Sequence, residues 1–168
     1  MKKFLSNTPL LGILLMLLLY GCRTEESTIE KANNLKQAKA LFEKGNYQFQ
    51  VLKYTKEIDW NNPIYSKGEE YETVEIPLSL KSGINIKGSE AAIHRLLFRK
   101  AIKDNSWSVY YVLIAPEKGA ENINLLDNVR FQSIPKDFHG DIIVFDQSSK
   151  IADQLAFNSS DKLQELAL

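Results

Sequence analysis

From Tyr71 to Leu80 the chain alternates almost without a break. Val74, Ile76, Leu78 and Leu80 fall on one side, Thr73, Glu75 and Ser79 on the other. A period of two marks a β-strand with one apolar face, so this stretch confines the chain to folds built around a sheet. Pro77 has no N–H to give to a ladder, which predicts an edge strand or a bulge. Further along, Trp107 to Ala115 is rich in aromatic and β-branched residues and reads as a strand. Residues 91 to 103 fit a helix through Ile93, Leu96, Leu97 and Ala101, or a strand through Leu96, Phe98 and Ile102. Asp104-Asn105-Ser106 is a turn, and the strength of the second arm favours a hairpin. Within residues 141–146, Ile142 to Phe145 reads as a buried strand. Gln147 to Lys150 then turns the chain, and Ile151 to Asn158 returns as its partner.

Upstream, Tyr47, Phe49 and Val51 also alternate, predicting a strand that runs to Ile58 with a change of face near Leu52. Asn61-Asn62-Pro63 reads as a turn. Residues 67–70, 81–89 and 116–128 read as loops. A single helix precedes these strands. Ser27 and Glu30 have capping-box spacing, and Ile29, Ala32, Leu35, Ala38, Leu41 and Phe42 recur at helical spacing. Lys44-Gly45-Asn46 offers a cation and a left-handed stop. The helix is expected at about 28 to 44. One N-terminal helix packed on a mostly antiparallel β-sheet of about six strands is an α+β fold.

The N-terminus carries a different kind of signal. Lys2 and Lys3 precede an apolar run from Leu10 to Tyr20. That run is too short for a spanning helix, which needs roughly 20 residues, but has the length of a signal-peptide core. It ends at Leu19-Tyr20-Gly21-Cys22, which resembles the lipobox of bacterial lipoproteins: Leu, a small residue next to the cut, then Cys. Gly21 leaves the peptide bond before Cys22 open to a peptidase, and the thiol can accept a diacylglycerol as thiolate. The reading is a signal peptide at 1–21, a lipidated tether at 22–27 and a single α+β domain at 28–168. It implies attachment to a membrane through lipid on Cys22, palmitate included, and a cell-envelope location at the outer membrane.

Cys22 is the only cysteine of the 168 residues. No intrachain disulfide, zinc–thiolate cluster or cysteine nucleophile can be built. Lys2 and Lys3 are the only charged residues before Gly21. Of the 21 basic and 21 acidic residues, the mature chain therefore keeps two fewer bases than acids. That balance argues against a nucleic-acid partner. After the cysteine, Arg23-Thr24-Glu25-Glu26 reads either as a solvated acidic tether or as a surface-export signal, since a basic residue followed by paired acids resembles the signal of Bacteroidetes lipoproteins.

Several stretches resemble a group of uncharacterised Bacteroidetes lipoproteins. They are Ala38-Lys39-Ala40-Leu41-Phe42-Glu43, the segment Tyr54 to Trp60, Glu75-Ile76-Pro77-Leu78, His94-Arg95-Leu96-Leu97-Phe98, and Phe138-His139-Gly140-Asp141 continuing to Asp146. Together they touch most of the mature chain. The resemblance implies export and a β-rich domain and brings no catalytic residue with it. The glycine expected in the turn after Asp146 is replaced by Ser148-Ser149, which leaves the last hairpin open.

No catalytic set stands out. His94, His139 and Asp141 are too few to predict a metal site, and no HExxH, G-x-S-x-G or phosphate-binding glycine motif is present, so no cofactor is expected. Glu69, Glu70, Glu72 and Glu75 cluster in sequence, but acids on an alternating strand usually form its solvated face. Trp60, Tyr65 and Trp107 are the candidate ligand-binding residues, within a wider aromatic set that includes Tyr71, Tyr110 and Tyr111. The first functional reading is a non-catalytic, lipid-anchored binding or structural module with a protein or glycan partner. The alternative is an envelope-directed hydrolase using the carboxylates or a His/Asp site.

Overall fold

A computed structural model describes residues 28–84, 91–118, 123–157 and 164–165. Ser27, Cys22 and the whole leader lie outside the described residues. The chain divides into two compact units, Met1–Ala40 and Leu41–Leu168.

The described part of the first unit is helical. Among the described residues helix α1 covers 28–44, and its C-terminal end is the predicted one. Asn34 and Ala38 are buried one turn apart, and Phe42 follows one turn later. The helix ends without the expected left-handed residue, since neither Gly45 nor Asn46 has a positive φ. Gly45 N–H donates to Leu41 C=O at 2.9 Å, closing the last turn. The glycine is needed for another reason: a Cβ there would collide with the ring of Tyr47.

Tyr47 to Ile58 is not one strand. The rings of Phe42, Tyr47 and Phe49 stack in sequence, with centroids 5.7 and 6.0 Å apart. The alternation thus serves a ring stack rather than a ladder. The chain then curls through a 3₁₀ turn at Gln50–Lys53, where Leu52 and Tyr54 N–H bond locally to Phe49 and Val51 C=O. Strand β1 (Thr55–Ile58) follows, then β2 (Ile64–Lys67) and β3 (Tyr71–Leu80).

Both β1 and β2 pair antiparallel with the same edge of β3. The first lies against Leu78 to Leu80, the second against Glu72 to Glu75. Between them, residues 59–63 loop away. Asp59 organises the loop by accepting bonds from Asn61 N–H and Asn62 Nδ2. This corrects the expectation for Pro77. Strand β3 is interior, not an edge. Pro77 C=O accepts from Asp59 N–H at 2.9 Å, so the side on which its own N–H would stand faces the break between β1 and β2. The missing donor falls where no partner strand asks for it.

The rest is an antiparallel meander: β4 (Ile93–Ala101), β5 (Trp107–Pro116), β6 (Gly140–Phe145), β7 (Ile151–Phe157) and β8 (Gln164–Glu165). A short helix α2 (Ile123–Leu126) lies between β5 and β6. The ambiguous stretch is strand, as the hairpin reading required. Among the described residues eight strands appear instead of about six, because Ile64–Lys67 adds one beyond the turn at 61–63 and two residues near the C-terminus add a last one. Side chains shape both hairpin turns. Asp104 accepts from Ser106 N–H while Asn105 adopts φ 58°. Asp146 accepts from Ser148 and Lys150 N–H while Ser149 adopts φ 59°. The last hairpin therefore closes without a glycine. Gly140 is obligatory for a different reason: at φ 147° it lies against Ala115 C=O and Pro116, where a Cβ would not fit.

Strands β3 to β6 are buried on both faces. The first face carries Ile76, Leu96, Phe98, Tyr111, Leu113 and Ile143, and Phe42 and Trp60 pack on Phe98 at centroid distances of 6.3 and 5.8 Å. The second face carries Leu97, Val112, Ile114, Ile142 and Val144. Leu126, Val129 and Phe138, from the connection between β5 and β6, cover it. The connection thus supplies three of the eight buried residues of this core, Leu126 from within the expected loop and Val129 and Phe138 from beyond it, each fully buried side chain contributing about 1.5–3 kcal/mol.

Candidate functional site

Register decides which functional side chains meet. On the first face, Lys67, Glu72, Lys100 and Trp107 form one row across four strands. Glu72 accepts from Lys67 Nζ at 2.6 Å and Lys100 Nζ at 3.3 Å. The next row is Tyr65, Val74, Phe98 and Val109. All three sequence-predicted aromatics therefore lie on or beside this face: Tyr65 and Trp107 by register, Trp60 through its ring contacts with Phe42 and Phe98. Each is half-buried, and Trp60 is part of the aromatic core.

His94 lies on this face too, bonded through Nδ1 to Tyr111 Oη at 2.7 Å and stacked on its ring. Burial pulls the imidazole down from 6.5 to about 4 and pushes the phenol up. Both groups are neutral at ordinary pH. A small apolar cavity of about 180 Å³ opens beside them, lined by Val51, Tyr54, Tyr111, Leu113 and Phe145.

On the second face, Glu75 and Arg95 form a buried ion pair, Nη1 to Oε2 at 2.8 Å, with side chains 0% and 3% exposed. The remaining bonds reach the covering connection. Arg95 Nη1 also donates to Val129 C=O at 2.6 Å, and Phe131 N–H donates to Glu75 Oε1 at 2.8 Å. The pair fastens the connection to the sheet. Glu72 and Glu75, neighbours in the acidic sequence cluster, thus point to opposite faces, each engaged by cations. Among the described residues, no group of three or more His, Cys, Asp or Glu comes together that could hold a metal ion.

Beyond the ion pair the second face turns polar. Ser66, Thr73, Arg99 and Ser108 form one row in register. Ser66 and Thr73 hydroxyls bond to each other at 2.6 Å. The guanidinium of Arg99 lies 4.2 Å from the ring centroid of Tyr71 and 5.1 Å from that of Tyr110. Here a cleft of about 550 Å³ opens between the turns of two hairpins, with Tyr71, Arg99 and Ser108 on its floor and Glu69, Glu70 and Lys103 on its rim. Ile102 N–H, bonded to Glu70 C=O at 2.8 Å, ties the turns together. Asp104, also on the rim, is committed to its own turn, where bonds from Ser106 hold its carboxyl below the usual range. Sequence reading included Tyr71 and Tyr110 among the aromatics but missed Arg99. The signal was present only in the shared parity of Arg95 and Arg99 on one strand.

Among the described residues, no helix is long and apolar enough to cross a membrane. No family model, curated protein or solved structure matches the chain.

Proposed function

We propose that this chain is a lipid-anchored protein of the bacterial cell envelope and a non-catalytic binding module, tethered to the outer membrane through Cys22. The observation that carries the reading is the N-terminal pattern: two lysines, an apolar run of signal-peptide length, and Leu19-Tyr20-Gly21-Cys22 at its end. Two acyl chains make such anchoring stable, each buried CH₂ contributing about 0.8 kcal/mol. The likeness of several stretches to Bacteroidetes lipoproteins supports the same address, and Arg23 with Glu25-Glu26 supports display at the cell surface.

The non-catalytic part rests on the state of the side chains that a hydrolase would need. Glu72 is bridged by two lysines and Glu75 is sealed in a buried ion pair on the other face. His94 is neutral and bonded to a buried phenol. The large cleft at the polar end of the second face supports a binding role for a small ligand or an exposed group of a protein or glycan. Metabolic labelling with palmitate tests the anchor: label enters the wild-type chain and is lost in Cys22→Ala. Equal labelling of both proteins would refute it.

A further inference from the structure

Among the described residues Arg99 has no counter-ion. Both tyrosine rings approach its guanidinium, and no carboxylate of the described residues pairs with it. Its Nε is buried without a hydrogen-bond partner. A guanidinium held against aromatic rings keeps its charge and its fork of in-plane N–H donors, so the unspent valence lies at the edge of the plane. That edge matches a carboxylate in two parallel bonds. Ser108 stands directly opposite in register and lines the same cleft. The clamp also fixes a side chain that would otherwise lose conformational freedom on binding, which is the usual gain of preorganisation.

We propose that the cleft between the two hairpin turns recognises a ligand carboxylate through Arg99, clamped between Tyr71 and Tyr110. The inference rests on reading the chain as a binding module, and is independent of the lipid anchor. The rim sets the charge preference. Glu69, Glu70 and Asp104 stand at the mouth on exposed turns, with Lys103 the one cation beside them on the rim. A singly charged carboxylate meets less repulsion there than a phosphate dianion.

The full-length protein, purified in detergent, provides the test. The chain has four arginines, at positions 23, 95, 99 and 130, so the Nε–H resonance of Arg99 is assignable by NMR. Acetate is expected to shift that resonance and the backbone amide of Ser108 with a saturable curve, while acetamide and chloride do not. Phosphate is expected to bind more weakly than acetate. In Arg99→Lys the acetate response at Ser108 should weaken roughly tenfold, because an ammonium lacks the fork. No saturable acetate response in the wild-type protein would overturn the proposal without recourse to any variant. So would an equal response to chloride, or tighter binding of phosphate. Saturable binding of acetamide without acetate would sink the carboxylate and spare the binding module.

Discussion

Arg95 and Arg99 sit on the same strand and the same face, one on either side of Leu97, and the Nε of each is buried without a hydrogen-bond partner, yet what meets the rest of each guanidinium differs. Arg95 is sealed, bonded to Glu75 and to Val129 C=O, and closes a core. Arg99 is held by two rings, pairs with no carboxylate among the described residues and borders a cleft. The difference lies in what covers the sheet. The connection between β5 and β6 reaches over Arg95 and brings a carbonyl with it; the Arg99 end faces the cleft instead. One arginine completes the structure, and the other leaves a charge at an opening. His94, next to Arg95 on the opposite face, represents a third solution, in which burial removes the charge altogether.

The largest effect should come from breaking the sealed end. Glu75→Gln leaves a buried guanidinium without its anion, and unfolding in urea is expected to show a loss of about 3–5 kcal/mol. Hydrogen exchange at the Phe131 amide should accelerate in the same variant, because its acceptor is changed.

A smaller effect should follow from acid. The folded state holds His94 near 4, against 6.5 for the free side chain, so the unfolded chain binds the extra proton first. Stability from this group is therefore complete above pH 6.5, falls as pH drops from 6.5 towards 4, and then levels off. The loss should be on the order of 2 kcal/mol, read from urea midpoints across that window, with His94→Gln flattening the curve.

The smallest effect belongs to the open end. Arg99→Met removes ring contacts that contribute about 0.5–1 kcal/mol near a surface. A loss as large as that of Glu75→Gln would erase the contrast between the two arginines.

Much of this architecture is legible in the sequence, because local patterns coincide with tertiary ones. The period of α1, the alternation of β3 and the turn chemistry of Asp104 and Asp146 each operate within a few residues. Two kinds of feature escape. Tyr47 and Phe49 alternate as a strand would, but their rings stack with Phe42, a partner that alternation cannot reveal. The connection from Glu117 to His139 has no regular period, and its burial depends on Arg95 and Glu75 arriving beneath it from other strands. The cleft is hidden for the same reason. Tyr71, Arg99 and Tyr110 belong to three strands, and only their register brings the rings to the guanidinium. Trp60, the more conspicuous aromatic, packs on Phe98 instead.

The Glu75–Arg95 pair also acts as a register lock. A slip of one residue between β3 and β4 would turn the carboxylate onto the face of Phe98 and Trp60, among hydrocarbon and rings, and would leave the guanidinium unanswered below Val129. Hydrophobic side chains alone would hold β4 less firmly, since Ile93 and Leu97 on one side and Leu96 and Phe98 on the other leave it apolar on both. A buried charge of modest net worth to stability thereby excludes the nearest wrong alignment of the sheet.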